Sequence, residues 1–286
     1  MARVVLALIL LALAGCDSPS VALLQQMDAQ RLAADMRVQL HRSTEAVQRA
    51  IMADTDEASN GFAREAREAA DTLEADRGAI NALLADIGSP QEKQLAQDFG
   101  TAFSRLRDLD RTLLPLAALN TNVKAQRLSF GPARDAADAL RDHLERAAQS
   151  APPRSAVRAQ LLATRVQLSV REMQALQAPH IAEADDAAMT RMEQQMAKSE
   201  AAARAALAEL PPLLGSEGAS ELASAREQLD RFAQTQRELI TLSRTNSEVR
   251  SLAAALGEKR ELTAACDAAL IAIRDELAKH GSRATR

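Results

Sequence analysis

The 286-residue chain contains no tryptophan, no tyrosine and only five phenylalanines. Aromatic and β-branched side chains fill most strands, so their scarcity argues against a β-rich fold, and the abundance of Ala, Leu, Arg, Glu and Gln predicts an all-α protein. The net charge of −4, together with so few rings to stack on bases, also argues against a nucleic-acid partner.

Several motifs that mark common enzymes and cofactor sites are missing. The chain has no Gly-x-Ser-x-Gly, no phosphate-binding Walker loop, no dinucleotide fingerprint and no Cys-x-x-Cys-His haem motif. His180 and Glu183 have a spacing that can chelate a metal, but a di-iron bundle needs more carboxylates and a second histidine at the same level. We therefore expect no catalytic site, no metal and no cofactor.

Only two cysteines are present, and the first ends a distinctive N-terminal pattern. Arg3 precedes an apolar run over residues 4–14, and Leu13-Ala14-Gly15-Cys16 follows. This arrangement resembles a bacterial lipoprotein signal peptide with its lipobox. The resemblance implies a signal peptide over 1–15, fatty-acid chains such as palmitate on Cys16, and a lipid-anchored tether over 16–21. An ordinary secretory signal is the alternative, and either reading predicts export.

The second cysteine, Cys266, cannot form an internal disulfide once Cys16 is lipidated. We expect it to be buried as a free thiol, with an intermolecular bridge as the alternative. The lipoprotein reading places the protein in the cell envelope, facing the periplasm, and leaves open whether the inner or the outer membrane holds the anchor.

Glycine and proline interrupt the remaining sequence at three places. Gly88-Ser89-Pro90, Ala151-Pro152-Pro153 and residues 210–218 separate four helical stretches, which we place at 22–87, 91–149, 154–209 and 219–280. In the first stretch, apolar residues recur every eleven positions, from Met36 to Ile80. An eleven-residue period is close to that of a straight α-helix, so we predict one uninterrupted rod.

The two halves of the chain resemble each other at a nearly constant offset. Residues 37–40 recur as residues 165–168, and Asn120 and Val123 align with Asn246 and Val249. We infer a duplicated helical hairpin, with hairpin 1 over 22–149 and hairpin 2 over 154–280. Two such hairpins would bury their apolar seams in one long antiparallel four-helix bundle over 22–286.

Folding the hairpins at their breaks brings polar residues to one level near the middle of the predicted bundle. One interpretation is a pocket in which arginine and asparagine side chains bind a small anion. The other is an internal network in which Arg127 pairs with Asp54, Glu183 caps His180 and the asparagines fix helix register. The candidate ligand-binding residues are Asp54, Asn120, Lys124, Arg127, His180, Glu183, Asn246 and Arg250.

An exported, Ala-rich bundle with Asn-x-x-Val-[Lys/Arg] at residues 120–124 and 246–250 resembles the extracytoplasmic sensory domain of methyl-accepting chemotaxis receptors and related sensor kinases. The resemblance implies a four-helix bundle that senses a small molecule between its helices, often at a dimer interface. Such receptors carry flanking membrane spans and a cytoplasmic signalling module, for which no sequence pattern is found here. We therefore expect a lipid-anchored sensory bundle that signals through a membrane protein partner or as a homodimer.

A protein of a different class is the alternative to the sensory interpretation. It is a structural or adaptor lipoprotein of the envelope, whose helix faces dock other proteins. Saturable binding of a small ligand separates the two hypotheses.

Overall fold

The computed structural model describes residues 19–284, and every regular element among them is helical, with no strand. The all-α prediction is therefore confirmed. Cys16 and the predicted signal peptide lie outside the described residues. The first helix begins at Pro19, three residues before the predicted start of the bundle.

Ten α-helices, two π-helical segments and one 3₁₀ turn make up the described chain. Their bounds are α1 Pro19–Met52, α2 Asp56–Ile87, α3 Pro90–Ala117, α4 Thr121–Leu128, a first π-helical segment Ser129–Ala133, α5 Arg134–Gln149, α6 Pro153–Ala182, α7 Asp186–Glu209, a 3₁₀ turn Pro211–Leu213, α8 Ser216–Thr245, α9 Ser247–Ala254, a second π-helical segment Ala255–Lys259 and α10 Arg260–Ala284.

The predicted rod over 22–87 is wrong, because α1 ends at Met52 and α2 begins at Asp56. The chain turns back between them, since the Ser43 hydroxyl donates to the Ala66 carbonyl oxygen at 3.0 Å. Thr55 starts α2 as its N-cap: its hydroxyl oxygen accepts the Ala58 amide at 3.1 Å. The eleven-residue pattern indicates which residues are buried. The buried faces of α1 and α2 both follow that spacing, so the pattern continues across the turn.

The other three predicted stretches are also interrupted near their middles. Asn120 and Asn246 have φ values of 49° and 53°, in the left-handed region that ends an α-helix and that asparagine tolerates better than most residues. The α6–α7 break ends at Asp185, whose carboxylate caps α7 by accepting the amides of Ala187 and Ala188. The three breaks predicted from glycine and proline all coincide with helix ends.

The described chain divides into two compact units, whereas the sequence predicts one bundle over 22–286. Within the described residues, unit 1 comprises 19–50, 60–115 and 254–284, and unit 2 comprises 51–59 and 116–253. The core of unit 1 includes the stacked rings of Phe99 and Phe103, and that of unit 2 includes Phe232 and Met173. Each unit thus has an apolar core of its own.

Backbone irregularities recur in the two halves of the chain at one offset. The left-handed residues Asn120 and Asn246 are 126 positions apart, and so are the two π-helical segments, 129–133 and 255–259. The matching residues Val123 and Val249 are also 126 positions apart, so the structural spacing agrees with the sequence spacing and supports the inferred duplication.

Cys266 lies in the core of unit 1 and is fully buried, as expected. Burial raises the pKa of its thiol to about 12, so it stays protonated and a poor nucleophile. No helix within residues 19–284 combines the length and the apolar character needed to cross a membrane.

Candidate functional site

All eight candidate ligand-binding residues belong to unit 2. Three of them, Asn120, Lys124 and Arg127, contact the chain between α1 and the start of α2, and two of these three bond to the carboxylate of Asp56. Asn120 donates to Asp56 at 3.0 Å and the Lys124 ammonium lies 2.8 Å from the same carboxylate. These hydrogen bonds, from Lys124 first and then Asn120, lower the pKa of Asp56.

The predicted pairing of Arg127 with the side chain of Asp54 is wrong. The Arg127 side chain is exposed, and its guanidinium donates to the backbone carbonyl oxygen of Asp54 at 2.6 Å. The large apolar residues Phe130 and Leu256 are also exposed. The physical reason is a change of helical phase, because the breaks at 118–120 and 246 and the π-helical segments rotate the faces that a continuous α-helix would present. Arg250 is likewise exposed.

A symmetric set of hydrogen bonds joins the start of α4 to the start of α9. The Thr121 amide donates to the Ser247 hydroxyl oxygen and the Ser247 amide to the Thr121 hydroxyl oxygen, both at 3.0 Å. The Asn122 amide donates to the Glu248 carboxylate at 2.9 Å, and the Glu248 amide to the Asn122 side-chain oxygen at 3.3 Å. Each helix therefore satisfies the free N–H groups of the other, and we call these four residues the cross-cap.

Asn122 also connects the cross-cap to the end of α6. Its side-chain amide donates to the Ile181 carbonyl oxygen at 2.6 Å and to the Asn246 side-chain oxygen at 2.8 Å. Asn246 in turn donates to the Glu183 carbonyl oxygen at 2.6 Å. The Glu183 carboxylate accepts the amides of Ala184 and Asp185 and so stabilises the turn itself.

His180 is fully buried and hydrogen-bonded through both ring nitrogens. Its Nδ1 lies 2.8 Å from the Ser243 hydroxyl oxygen, and its Nε2 lies 2.9 Å from the Glu193 carboxylate. Because the Ser243 hydroxyl donates its proton to the His180 carbonyl oxygen, the network is satisfied when both ring nitrogens donate. The prediction that Glu183 caps His180 is wrong. The partner is Glu193, which lies beyond the α6–α7 turn, and that turn was not predicted from the sequence.

Glu193 carries a testable pH dependence. Its pKa is lowered chiefly by the hydrogen bond from Arg244, at 2.6 Å, with a further contribution from His180. A lowered folded-state pKa gives stability that is present above the unfolded pKa, about 4.3, and is lost as the pH falls through the folded value. We expect Glu193→Gln to lower the melting temperature at pH 7 and to reduce the difference from the parent protein as the pH falls to about 3.

Melting curves followed by circular dichroism across that pH range test this expectation. Glu227→Gln is the matched control, because Glu227 lies on an exposed face of α8 and its ion pair is with Arg231 of the same helix. A constant difference between Glu193→Gln and the parent at every pH contradicts the assignment.

Most of the candidate residues are thus hydrogen-bonded or ion-paired to other residues of unit 2, and this favours the internal-network interpretation. Residues that the sequence interpretation missed, namely Asp56, Asn122, Glu193, Ser243 and Arg244, complete that network. Among residues 19–284, no group of three or more histidine, cysteine, aspartate or glutamate side chains is placed to hold a metal ion.

A cavity within unit 1 has a different character. It encloses about 220 Å³ between α1, α2 and α3. Its apolar wall includes Leu40, Phe103, Leu106 and Leu114, and its charged residues are Arg67, Asp71, Arg107, Asp110 and Arg111. We call it the arginine-rimmed cavity. None of the candidate residues from the sequence lies in it.

The charges around this cavity are unequally engaged. Arg107 lies 2.6 Å from Asp71, Arg111 lies 2.7 Å from Asp108, and Asp110 pairs with Lys259. Arg67 is exposed and has no ion pair among the described residues. The cavity therefore offers an apolar wall and a guanidinium that is free to bind an anion.

A second cavity, in unit 2, encloses about 320 Å³ beside the cross-cap. Its only charged lining residue is Glu248, whose carboxylate is already hydrogen-bonded to the start of α4. An anion is therefore disfavoured there.

No protein-family model and no curated protein matches this sequence.

Proposed function

We propose that this protein is a lipid-anchored, periplasm-facing sensory protein that binds a small organic anion in the arginine-rimmed cavity of unit 1. The observation that carries the proposal is the free guanidinium of Arg67 at the rim of a cavity with an apolar wall. A carboxylate with a short aliphatic or aromatic part fits this chemistry, because the guanidinium can hold both oxygens while the remainder is removed from water.

The fold suggests how such a ligand would act. We propose that the helical segments of each unit form an antiparallel four-helix bundle. We also propose that the two halves of the chain arose by duplication of one helical hairpin. A ligand that contacts α1, α2 and α3 together favours the helix packing in which all three are close, and a membrane partner would detect that change. The anchor on Cys16 would keep the protein beside that partner.

The engaged polar residues of unit 2 support a second candidate function. A protein whose mid-helix polar groups serve mainly to fix its own breaks and helix register suits a structural or adaptor lipoprotein. In that case the arginine-rimmed cavity would hold only water.

Thermal unfolding in the presence of candidate ligands distinguishes the two functions. Circular dichroism is the appropriate signal, because the chain is helical and lacks tryptophan and tyrosine. We expect one class of small apolar carboxylates to raise the melting temperature of residues 19–286, since a ligand at about 100 times its Kd stabilises the native state by about 2.7 kcal/mol. A flat response to amino acids, organic acids and inorganic anions would favour the structural function.

Three arginine variants locate the binding site. Arg67→Ala should abolish the ligand-induced rise without changing the melting temperature of the free protein. Arg64→Ala, an exposed residue of the same helix that does not line the cavity, should retain the rise. If Arg127→Ala abolishes the ligand-induced rise in melting temperature and Arg67→Ala does not, the ligand binds instead at the candidate residues of unit 2.

A further inference from the structure

Helix α6 exposes a row of apolar side chains to solvent. Val157, Leu161 and Leu168 are 84%, 67% and 57% exposed, and Thr164 completes a spacing of four, three and four residues. This is the spacing of a coiled-coil seam, in which positions a and d alternate every three and four residues. We call these four residues the basic stripe, because exposed arginines at 158 and 165 flank it at equivalent positions.

Helix α1 carries a second exposed row with the same spacing, and the charges that flank it are reversed. Met27, Arg31, Ala34 and Val38 are exposed and lie 130 positions before the four residues of the basic stripe. The flanking residues equivalent to Arg158 and Arg165 are Asp28 and Asp35, which are also exposed. We call Met27, Arg31, Ala34 and Val38 the acidic stripe.

The charges disfavour a contact between two copies of the basic stripe. Arg154 and Arg171 occupy seam positions at the two ends of the basic stripe. In a parallel pair each would face its own copy, and in an antiparallel pair centred on the stripe Arg154 would face Arg171. Like charges that are directly opposed destabilise an interface and exclude that partner.

We propose that the acidic stripe of one copy docks in antiparallel orientation on the basic stripe of a second copy of this chain. In an antiparallel pair the residues that follow the d positions of both helices face each other, so Asp28 meets Arg165 and Asp35 meets Arg158 of the second copy. Orientation and partner are thus selected by the same two charge pairs.

The side chains along the two stripes match in this register. Met27 faces Leu168 of the second copy, and Val38 faces Val157. The small residue Ala34 faces the large Leu161, and Arg31, the charged residue of the acidic stripe, faces Thr164, the polar residue of the basic stripe. A broad apolar arc would favour a lipid surface, whereas this narrow seam with matched large, small and polar positions favours a second helix.

The contact joins two different surfaces, so it is heterologous and can continue from copy to copy. Its assemblies are closed rings or open chains, depending on whether the rotation between copies closes. The existing ion pairs of Asp28 with Arg31 and of Arg158 with Glu209, both at 3.6 Å and exposed, are weak enough to be exchanged for the new ones.

Cysteine cross-linking between two differently tagged full-length copies tests the contact. We expect Ala34→Cys in one copy to form a disulfide with Leu161→Cys in the other under mild oxidation. The matched control is Ala175→Cys, an exposed residue on the same face of α6 but about 21 Å further along the helix, at ~1.5 Å per residue. Equal cross-linking at 175 and 161, or none at 161, overturns the proposal.

Charge reversal tests the role of the acidic and basic residues. One double variant combines Asp28→Arg with Asp35→Arg, and the other combines Arg158→Asp with Arg165→Asp. Each should weaken self-association by about tenfold or more, measured by co-purification of the two tags. Mixing the two reversed proteins should restore association, because each then meets an opposite charge. Association that neither reversal changes contradicts the proposed register.

Discussion

Replacement of Asp110 by alanine is expected to lower the free energy of unfolding by about 3–5 kcal/mol, because it leaves the Lys259 ammonium buried without its counter-ion. The Lys259 side chain is only 3% exposed, and its nitrogen lies 2.6 and 2.8 Å from the two carboxylate oxygens of Asp110. For a chain of this size that loss corresponds to a fall in melting temperature of roughly 10 °C.

The pKa of Asp110 shows how expensive the burial of this pair is. Burial raises that pKa even though Lys259 opposes the change through its charge and its hydrogen bonds. The carboxylate is therefore held in a site that disfavours its charge, and the pair is worth less to stability than the loss caused by breaking it. The double variant Asp110→Leu with Lys259→Met should accordingly recover most of the stability that Asp110→Ala loses.

Urea unfolding followed by circular dichroism measures both variants. Because Asp110 also lines the arginine-rimmed cavity, ligand binding should be measured on the double variant as well. A loss below about 1 kcal/mol for Asp110→Ala would mean that water reaches Lys259 in the folded protein.

Lys259 illustrates what the sequence could not provide. It ends the second π-helical segment, in which Gly257 departs from helical geometry with φ −92° and ψ −110°. A count of 3.6 residues per turn assumes one continuous α-helix, so each π-helical segment shifts the predicted faces of everything beyond it. The burial of a lysine at 259 and the exposure of Leu256 follow from this local geometry and were not accessible from periodicity.

The helix class and the three loop breaks were predictable because glycine, proline and composition act locally. The four mid-stretch breaks had weaker signals that were present but were interpreted otherwise. Asp54-Thr55-Asp56-Glu57 has the N-cap threonine and acidic first turn of a new helix, and residues 183–187 contain the capping aspartate Asp185. The eleven-residue apolar pattern continues through residues 54–57, and this continuity favoured one uninterrupted rod over 22–87.

The inferred duplication predicted more about the polar residues of unit 2 than any other feature of the sequence. It aligned Asn120 with Asn246, and both adopt the same left-handed conformation in the structure. It also placed residues 120–127 at the level of residues 246–250, where the cross-cap is found. It did not single out Asn122, since its counterpart is Glu248 and no residue type is shared.

Asn122→Leu should therefore be one of the most destabilising substitutions in unit 2, at about 3 kcal/mol. The leucine has a similar shape but can neither accept the Glu248 amide nor donate to the Ile181 carbonyl oxygen or to Asn246. These groups lie in or beside a buried network, and each buried polar group left without a partner costs about 1–3 kcal/mol. The expected loss is below their sum because the α4 and α9 starts can partly relax.

The neighbouring Asn120→Gly is the matched control. Glycine adopts the left-handed conformation at residue 120 without strain, and the hydrogen bond that it removes is the partly exposed one to Asp56. We expect that change to cost less than about 1 kcal/mol in the same urea titration. Similar losses at 120 and 122 would show that the Asn120 side chain contributes as much to the helix break as Asn122 does, and a large loss at 122 alone would show that α4 and α9 hold each other's starts in place through the cross-cap.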